Sequence, residues 1–332
     1  MQKAGKGVAV ITGASAGVGR ASVRTFAGNG YDIGLIARNL EGLDAAKQEV
    51  ESKGRRASFY VADVADPEAV EAAAAQFEKE LGPIEVWVNN AMNSVFSPVK
   101  EMKVVEYARV TNVTYLGQVY GTLSALKRML PRNKGSIVFV GSALSYRGIP
   151  LQSAYCGSKH AIQGFFDSLR AELMHDKSKV QITMVQLPAL NTTQFGVVKS
   201  RLQNKPKPMG TIYQPEVAAD AILYAAENDR REVIVGFSTL LTIVGNKIAP
   251  WYVDHVLARN GYNGQQTEEP DNPHRMHNLW QTIPGDHGAH GNFGDKARDF
   301  SMALWLTKHR ATGILLAVVI VAFMTTILVL IF

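Results

Sequence analysis

The sequence predicts an α/β fold, a doubly wound parallel sheet with helices on both faces, followed by a C-terminal transmembrane helix. Three observations carry that expectation. Short apolar runs alternate with longer helical patterns from residue 7 to about residue 190. A glycine cluster joins the first run to the first helical stretch. The chain closes on an uncharged segment, "ATGILLAVVIVAFMTTILVLIF", from Ala311 to Phe332.

The strands are the first element to justify. "GVAVIT", "YDIGLIA", "ASFYVAD", "IEVWVNNA", "GSIVFVGS" and "QITMVQLP" are near-continuously apolar and rich in Val and Ile. Strands buried on both faces read this way because neither face meets water. Helical stretches such as "GRASVRTFAGNG" and "DPEAVEAAAAQFEKEL" separate them, the first ending on a glycine suited to a helix C-cap. Strands linked through helices pair in parallel, with the helices packed on both faces. "EVIVG" at 232–236 reads as one further strand.

The rest of the chain is organised around this body. Residues 191–214 lack periodicity and carry Pro, Gly and Lys; a mobile segment over a cleft and an ordinary surface excursion both fit. Residues 238–262 are apolar with Trp and Tyr, predicting helix packed on the body, with a membrane-interface position as the alternative. Residues 263–300 are polar and rich in Gly, Pro and His, the composition of a solvated tether. The expected organisation is therefore a catalytic domain over 1–262, a tether over 263–310 and an anchor over 311–332. At about 1.5 Å per residue, a helix of the last segment's length crosses a hydrocarbon core of roughly 30 Å. Lys308 and Arg310 just before it place the large domain on the cytosolic side. The N-terminus shows no signal-peptide core.

Composition narrows the function classes. With 46% hydrophobic and 19% charged residues, wholesale disorder is excluded. The net charge of +6 comes without a dense Lys/Arg block interleaved with aromatics, so nucleic-acid binding is not expected. An anionic cofactor or membrane surface accounts for the excess equally well. Cys156 is the single cysteine, which rules out an intrachain disulfide and a CxxC metal site. Two H-x-x-H pairs, His274/His277 and His287/His290, lack clustered partners, so no metal site is expected.

Chemistry concentrates in a few motifs. In "VAVITGASAGVGRA", Gly13, Gly17 and Gly19 follow a strand and open a helix. Residues without Cβ atoms let backbone N–H groups and the helix N-terminus approach a pyrophosphate. One unit later, "GLIARN" ends on Arg38, where an acidic residue would select NAD. Arg38, with Arg20 after the glycine loop, favours the 2′-phosphate of NADP(H) instead. In "SAYCGSKHA", Tyr155 and Lys159 stand four apart, on one face of a helix. A nearby ammonium pulls a phenol's pKa down towards the range useful for proton transfer. A surface helix with the two as chance neighbours is the plainer alternative.

Together these residues resemble the short-chain dehydrogenase/reductase family, from about residue 7 to residue 236. The glycine loop of Thr12, Gly13, Ser15, Gly17, Val18 and Gly19 looks like the family's Rossmann-type cofactor signature, and Arg20 follows it. Asp63 and Val64 match its adenine-contacting position, while Asn89, Asn90 and Ala91 match the segment supporting the sheet beside the cofactor. Asn112 in "VTNVTYLG" matches the family's catalytic asparagine, and Ser142 in "FVGSALS" its catalytic serine, ahead of Tyr155 and Lys159. Pro188 and Thr192 match positions beside the nicotinamide. Met92 and Ala189 depart from glycines usual in the family, which puts local pocket shape in doubt.

The resemblance implies an NADP(H)-dependent oxidoreductase interconverting a carbonyl and an alcohol. Tyr155 would be the general acid/base and Ser142 would hydrogen-bond the substrate oxygen. Lys159 would lower the Tyr155 pKa and hold the nicotinamide ribose. Asn112 would support a water-linked proton path through Lys159. Anchoring favours a lipophilic substrate; a tethered reductase of a soluble metabolite or sugar and a non-catalytic NADP(H)-binding scaffold are the alternatives. Association as a homodimer or homotetramer is expected from the family.

Overall fold

The computed structural model describes residues 5–313. Seven parallel strands form the central sheet: β1 Val8–Thr12, β2 Asp32–Ala37, β3 Ala57–Val61, β4 Ile84–Asn89, β5 Ser136–Val140, β6 Gln181–Gln186 and β7 Glu232–Ile234. Their spatial order is β7-β6-β5-β4-β1-β2-β3. The first half of the chain winds outward from β1 to β3, then returns to β4 on the other side of β1. That reversal leaves a crevice beyond the carboxyl ends of β1 and β4, where open α/β sheets bind ligands.

Alternation along each strand feeds two cores. Ile11, Leu35 and Val88 face α1 (Gly17–Gly28), α2 (Leu40–Glu51) and α7 (Pro215–Glu227), meeting Phe26, Leu43 and Ile222. Their neighbours Val10, Ile36 and Trp87 face α3 (Pro67–Leu81), α5 (Gly117–Arg132) and α6 (Ser153–His175), meeting Phe77, Met129 and Phe166. Between α3 and α5 lies the short α4, Val104–Thr111. Helix ends follow local chemistry. Asp66 caps α3 by accepting from the amides of Glu68 and Ala69, Pro67 occupies its first turn, and Gly82 at φ 110° terminates it. After α1, Gly30 at φ 97° turns the chain into β2, as its glycine predicted.

One expectation is corrected in the C-terminal third. Residues 263–310 are not a solvated tether but lie against the body. Gln266–Pro270 pairs antiparallel with Asn204–Pro206, and Ala297–Arg298 pairs in parallel with Ile212–Tyr213. Leu279 and Ala289 are buried. The segment has no periodic apolar face, because body side chains satisfy its backbone and isolated apolar residues plug into the body. Residues 238–262 form two helices, α8 (Phe237–Ile248) and α9 (Pro250–Asn260), broken at Ala249–Pro250. Most of their large apolar side chains face solvent rather than the body. The apolar segment at 311–332 lies outside the described residues beyond Gly313. Among the described residues, no helix is long and apolar enough to cross a membrane.

The aperiodic 191–214 stretch is pinned rather than loose. Lys199–Ser200 pairs with Val95–Phe96, and Lys199 and Arg201 reach the buried Glu106 of α4 at 2.7 and 2.8 Å. Burial alone would raise the Glu106 carboxyl, but the hydrogen bonds of Arg201, Lys199 and the Lys103 amide override it and bring it down to about 2. A carboxyl lowered in the folded state stabilises above its unfolded pKa, and that stability is lost as pH falls towards 2. Glu106→Gln should therefore lose about 3–5 kcal/mol in denaturant titrations at pH 7, as a broken buried ion-pair cluster does. The gap to wild type should narrow steadily below pH 4; a gap independent of pH would contradict this assignment.

Candidate active site

The crevice is a cavity of about 680 Å³, within the range of cofactor and substrate sites. Of the sequence-predicted residues, Gly13, Ser15, Gly17, Val18, Arg38, Asp63, Val64, Asn90, Ala91, Ser142, Tyr155, Lys159, Pro188 and Thr192 line it. Thr12, Gly19, Arg20 and Asn112 do not. Met92 and Ala189, the two departures from the family pattern, line it as well.

The glycine loop shows why its residues are of that type. Gly13 and Gly17 adopt φ of 68° and 57°, which L side chains rarely adopt. A Cβ on Gly13 would stand 2.9 Å from the Asn90 amide nitrogen, and one on Gly19 only 2.0 Å from the Gly13 carbonyl. Gly19 thus lets helix α1 pack on the loop rather than reaching the cavity. Thr12 works from behind: its hydroxyl donates to the Val88 carbonyl and accepts from the amides of Asn90 and Ala91, at 2.9 and 3.0 Å. It fixes the ends of β1 and β4 on either side of the crevice.

The two arginines separate. Arg20 is 1% exposed, and its guanidinium bonds Glu49, Asp286 and the carbonyls of Ser15 and Gly42. Its expected place beside a cofactor phosphate is corrected: it is an internal latch between α1, α2 and the C-terminal segment. Arg38 does line the cavity, donating to the carbonyls of Asn278 at 2.5 Å and Trp280 at 3.1 Å. Burial lowers its pKa, opposed by Asp63. Asp63 is also held by Arg109, whose Nε donates to the Leu279 carbonyl.

These contacts belong to a strap that the sequence did not reveal. Residues 278–291 run along the side of the cavity lined by Arg38 and Asp63, from the Arg38 contacts to Asn39, which donates to the carbonyls of Ile283 and Gly285. The strap continues through Asp286 on Arg20 to Gly288, whose carbonyl accepts from the Gly17 amide at 3.0 Å. Thr282, Ile283, Gly285 and His287 line the cavity from this side. The histidine pairs do not converge: His287 meets the Ile283 carbonyl and His290 meets Glu216.

The reacting end is built on β5 and α6. Gly141 carries the chain from β5 to Ser142, and a Cβ there would stand 2.4 Å from the Gln186 side chain. Ser142 caps the turn Ala143–Ser145 by accepting from the Leu144 amide, and it lines the same cavity as Tyr155. Tyr155 and Lys159 share one face of α6, with the ammonium 5.5 Å from the phenol ring centre. Lys159 is almost fully buried and donates to the Val140 carbonyl at 2.6 Å. Burial lowers its pKa to about 7 and raises the Tyr155 phenol, with Ser142 opposing that rise; the expectation that Lys159 draws the phenol down is corrected, because burial dominates both groups. The N-terminus of α6 is held by Tyr107, whose hydroxyl meets that of Ser153 at 2.6 Å. Asn112 opens a π-turn, Asn112–Leu116, between α4 and α5, but it is exposed and does not line the cavity, which corrects its expected place in a proton path through Lys159. Cys156 is buried, and burial raises its thiol to about 11, leaving an unreactive packing residue.

This arrangement offers a proton donor, a hydrogen-bond partner and a cation above one wall, with a phosphate-type glycine loop beyond. Comparison with known proteins agrees. Residues 7–203 match the family described as short chain dehydrogenase. The chain is 32% identical over 289 residues to the uncharacterized oxidoreductase YxnA of Bacillus subtilis, covering 86% of this chain and 81% of that protein. It is 30% identical over 258 residues to a fatty acyl-CoA reductase of Acinetobacter baylyi, covering 77% and 84%. Among solved structures, an alcohol dehydrogenase of Thermococcus sibiricus complexed with 5-hydroxy-NADP superposes with a TM-score of 0.60 at 25% identity, over 69% of this chain and 95% of that one. With its family match spanning more than half its length and its oxidoreductase relatives most of it, the chain belongs to the short-chain dehydrogenases and is an oxidoreductase.

Proposed function

We propose that this protein uses NADP(H) to interconvert a carbonyl and an alcohol on a lipophilic substrate, held at a membrane by residues 311–332 with its body on the cytosolic side. The observation that carries the chemistry is the convergence of Ser142, Tyr155 and Lys159 at the end of β5, in the cavity that begins at the glycine loop. The lining of the outer half of that cavity supports the substrate class. Leu144, Ile149, Met209, Val253, Val256 and Leu257 line it, and Arg147 there is neutralised by Asp254 and bonded to Asn246. The fatty acyl-CoA reductase among its relatives acts on an acyl compound by name.

The residues fit the cofactor. Gly13 and Gly17 leave a cradle without Cβ atoms, and the helix N-terminus behind it favours phosphate. The strap carbonyls use only part of the Arg38 donor set, so its remaining N–H groups suit a 2′-phosphate. When bound, NADPH supplies the hydride. The protein's own residues handle the oxygen. Ser142 donates to the substrate oxygen, and Tyr155, kept protonated at neutral pH by burial, gives its proton as charge develops there. Lys159, beside the ring, stabilises the phenolate that remains. Oxidation runs the same path backwards and needs that phenolate, so it gains with rising pH.

Three outcomes test this reading. Tyr155→Phe should cut NADPH-dependent reduction of a long-chain aldehyde by about 10²–10⁴-fold, with NADPH affinity preserved in a fluorescence titration; equal turnover would contradict it. A preference for short polar carbonyls over long-chain ones would instead favour a reductase of a soluble metabolite. Arg38→Asp should weaken NADPH binding at least about tenfold relative to NADH, the loss of one charge-assisted contact; an unchanged ratio removes Arg38 from phosphate recognition. Asp286→Ala, which frees the strap from Arg20, should speed NADPH release in stopped-flow displacement severalfold. An unaltered release rate would mean that the strap does not restrain the cofactor.

A further inference from the structure

Helix α8 is amphipathic in the wrong sense for a soluble surface. Phe237, Leu240, Leu241, Val244 and Ile248 recur at helical spacing, yet all five are exposed, Leu241 at 70% and Ile248 at 76%. The side turned to the body buries one aliphatic residue, Ile243, among polar groups. Thr239 is buried, and Asn246 donates to the Tyr146 carbonyl and accepts from Arg147. A surface helix normally turns its apolar stripe inward. The first turn of α9 extends the outward stripe with Trp251 and Tyr252, both more than half exposed. Lys247 and Arg259 are exposed on the same pair of helices, and neither makes an ion pair among the described residues.

We propose that this α8–α9 face docks on a lipid bilayer with the cavity mouth turned towards it, an inference that rests on the lipophilic substrate proposed above. The chemistry is that of an interfacial helix: aliphatic residues for the acyl boundary, Trp and Tyr for the headgroup level, and basic residues for anionic lipids. Continuity with the site points the same way, because Leu241 belongs both to the exposed stripe and to the cavity lining. An apolar substrate could then pass from lipid to Tyr155 without crossing water. The described chain ends at Gly313, and the uncharged run from Ile314 to Phe332 follows it, sequence enough to hold the body at a bilayer. A second copy of the chain, or that run folded back on the stripe, would cover Leu241 at the mouth.

The test uses the full chain. Cys156, its single cysteine, is buried, so an environment-sensitive fluorophore can be placed at Ile248→Cys, or at the exposed control Met174→Cys at the far end of α6. Vesicles of phosphatidylcholine and phosphatidylglycerol should shift the position-248 emission to the blue and raise its intensity severalfold. Brominated acyl chains should then quench it, while position 174 remains water-like. Water-like emission at 248 in protein that co-floats with the vesicles would overturn the proposal, as would absence of co-flotation. A blue-shifted signal before vesicles are added would assign the face to a second copy or to the chain's own C-terminal run, and would overturn it too. Because the readout is fluorescence and not turnover, failure here is separable from failure of the Tyr155→Phe test.

Discussion

The burial of Lys159 against the Val140 carbonyl is the constraint around which the site is built. A buried ammonium loses its hydration, so its charged form is disfavoured and its pKa falls to about 7. The surrounding structure holds it there regardless. The end of β5 supplies the accepting carbonyl, Gly141 lets the strand approach Gln186, and Tyr107 fixes the start of α6. Those same elements set Ser142 and Tyr155, so the lysine's tether and the proton donor cannot move independently. A group that would be more comfortable in water is kept beside the phenol because its function needs proximity. Stability is conceded there for chemistry.

A second dependence links the chain's two ends. Arg20 joins Glu49 of α2 to Asp286 of the strap, while Gly17 at the head of α1 bonds Gly288. The glycine loop and the C-terminal segment therefore form one hydrogen-bonded unit. Lys308 adds a further tie, pairing with Asp220 of α7. Residues that a composition argument assigns to solvent instead shape one wall of the cavity, and Arg38 divides its donors between that wall and the open groove.

What the sequence made legible was local. The strands, the glycine loop and the Tyr155–Lys159 pair each show themselves within a window of a few residues, because periodicity and i,i+4 spacing are short-range signals. Ser142 was legible by its order before Tyr155. The strap was not, because its contacts with Arg20, Arg38 and Asn39 span more than two hundred residues and its only apolar marks are isolated. Arg20 illustrates the limit well. Its position after the glycine loop fits a phosphate ligand, and only the fold shows Glu49 and Asp286 closing on it. The stripe of α8 was visible as apolar spacing, but spacing cannot say which side of a helix faces the body. Asn112 matched a motif in sequence, yet it is exposed and does not line the cavity.

Direct titration of Lys159 is the sharpest measurement. In protein labelled with ¹³C at the lysine ε-carbons, one resonance, identified by its absence in Lys159→Met, should titrate with a midpoint near 7. A Lys159 midpoint near the model-peptide lysine value of about 10.4 would mean that the amine is hydrated, and the buried Tyr–Lys pair could not be the basis of the site.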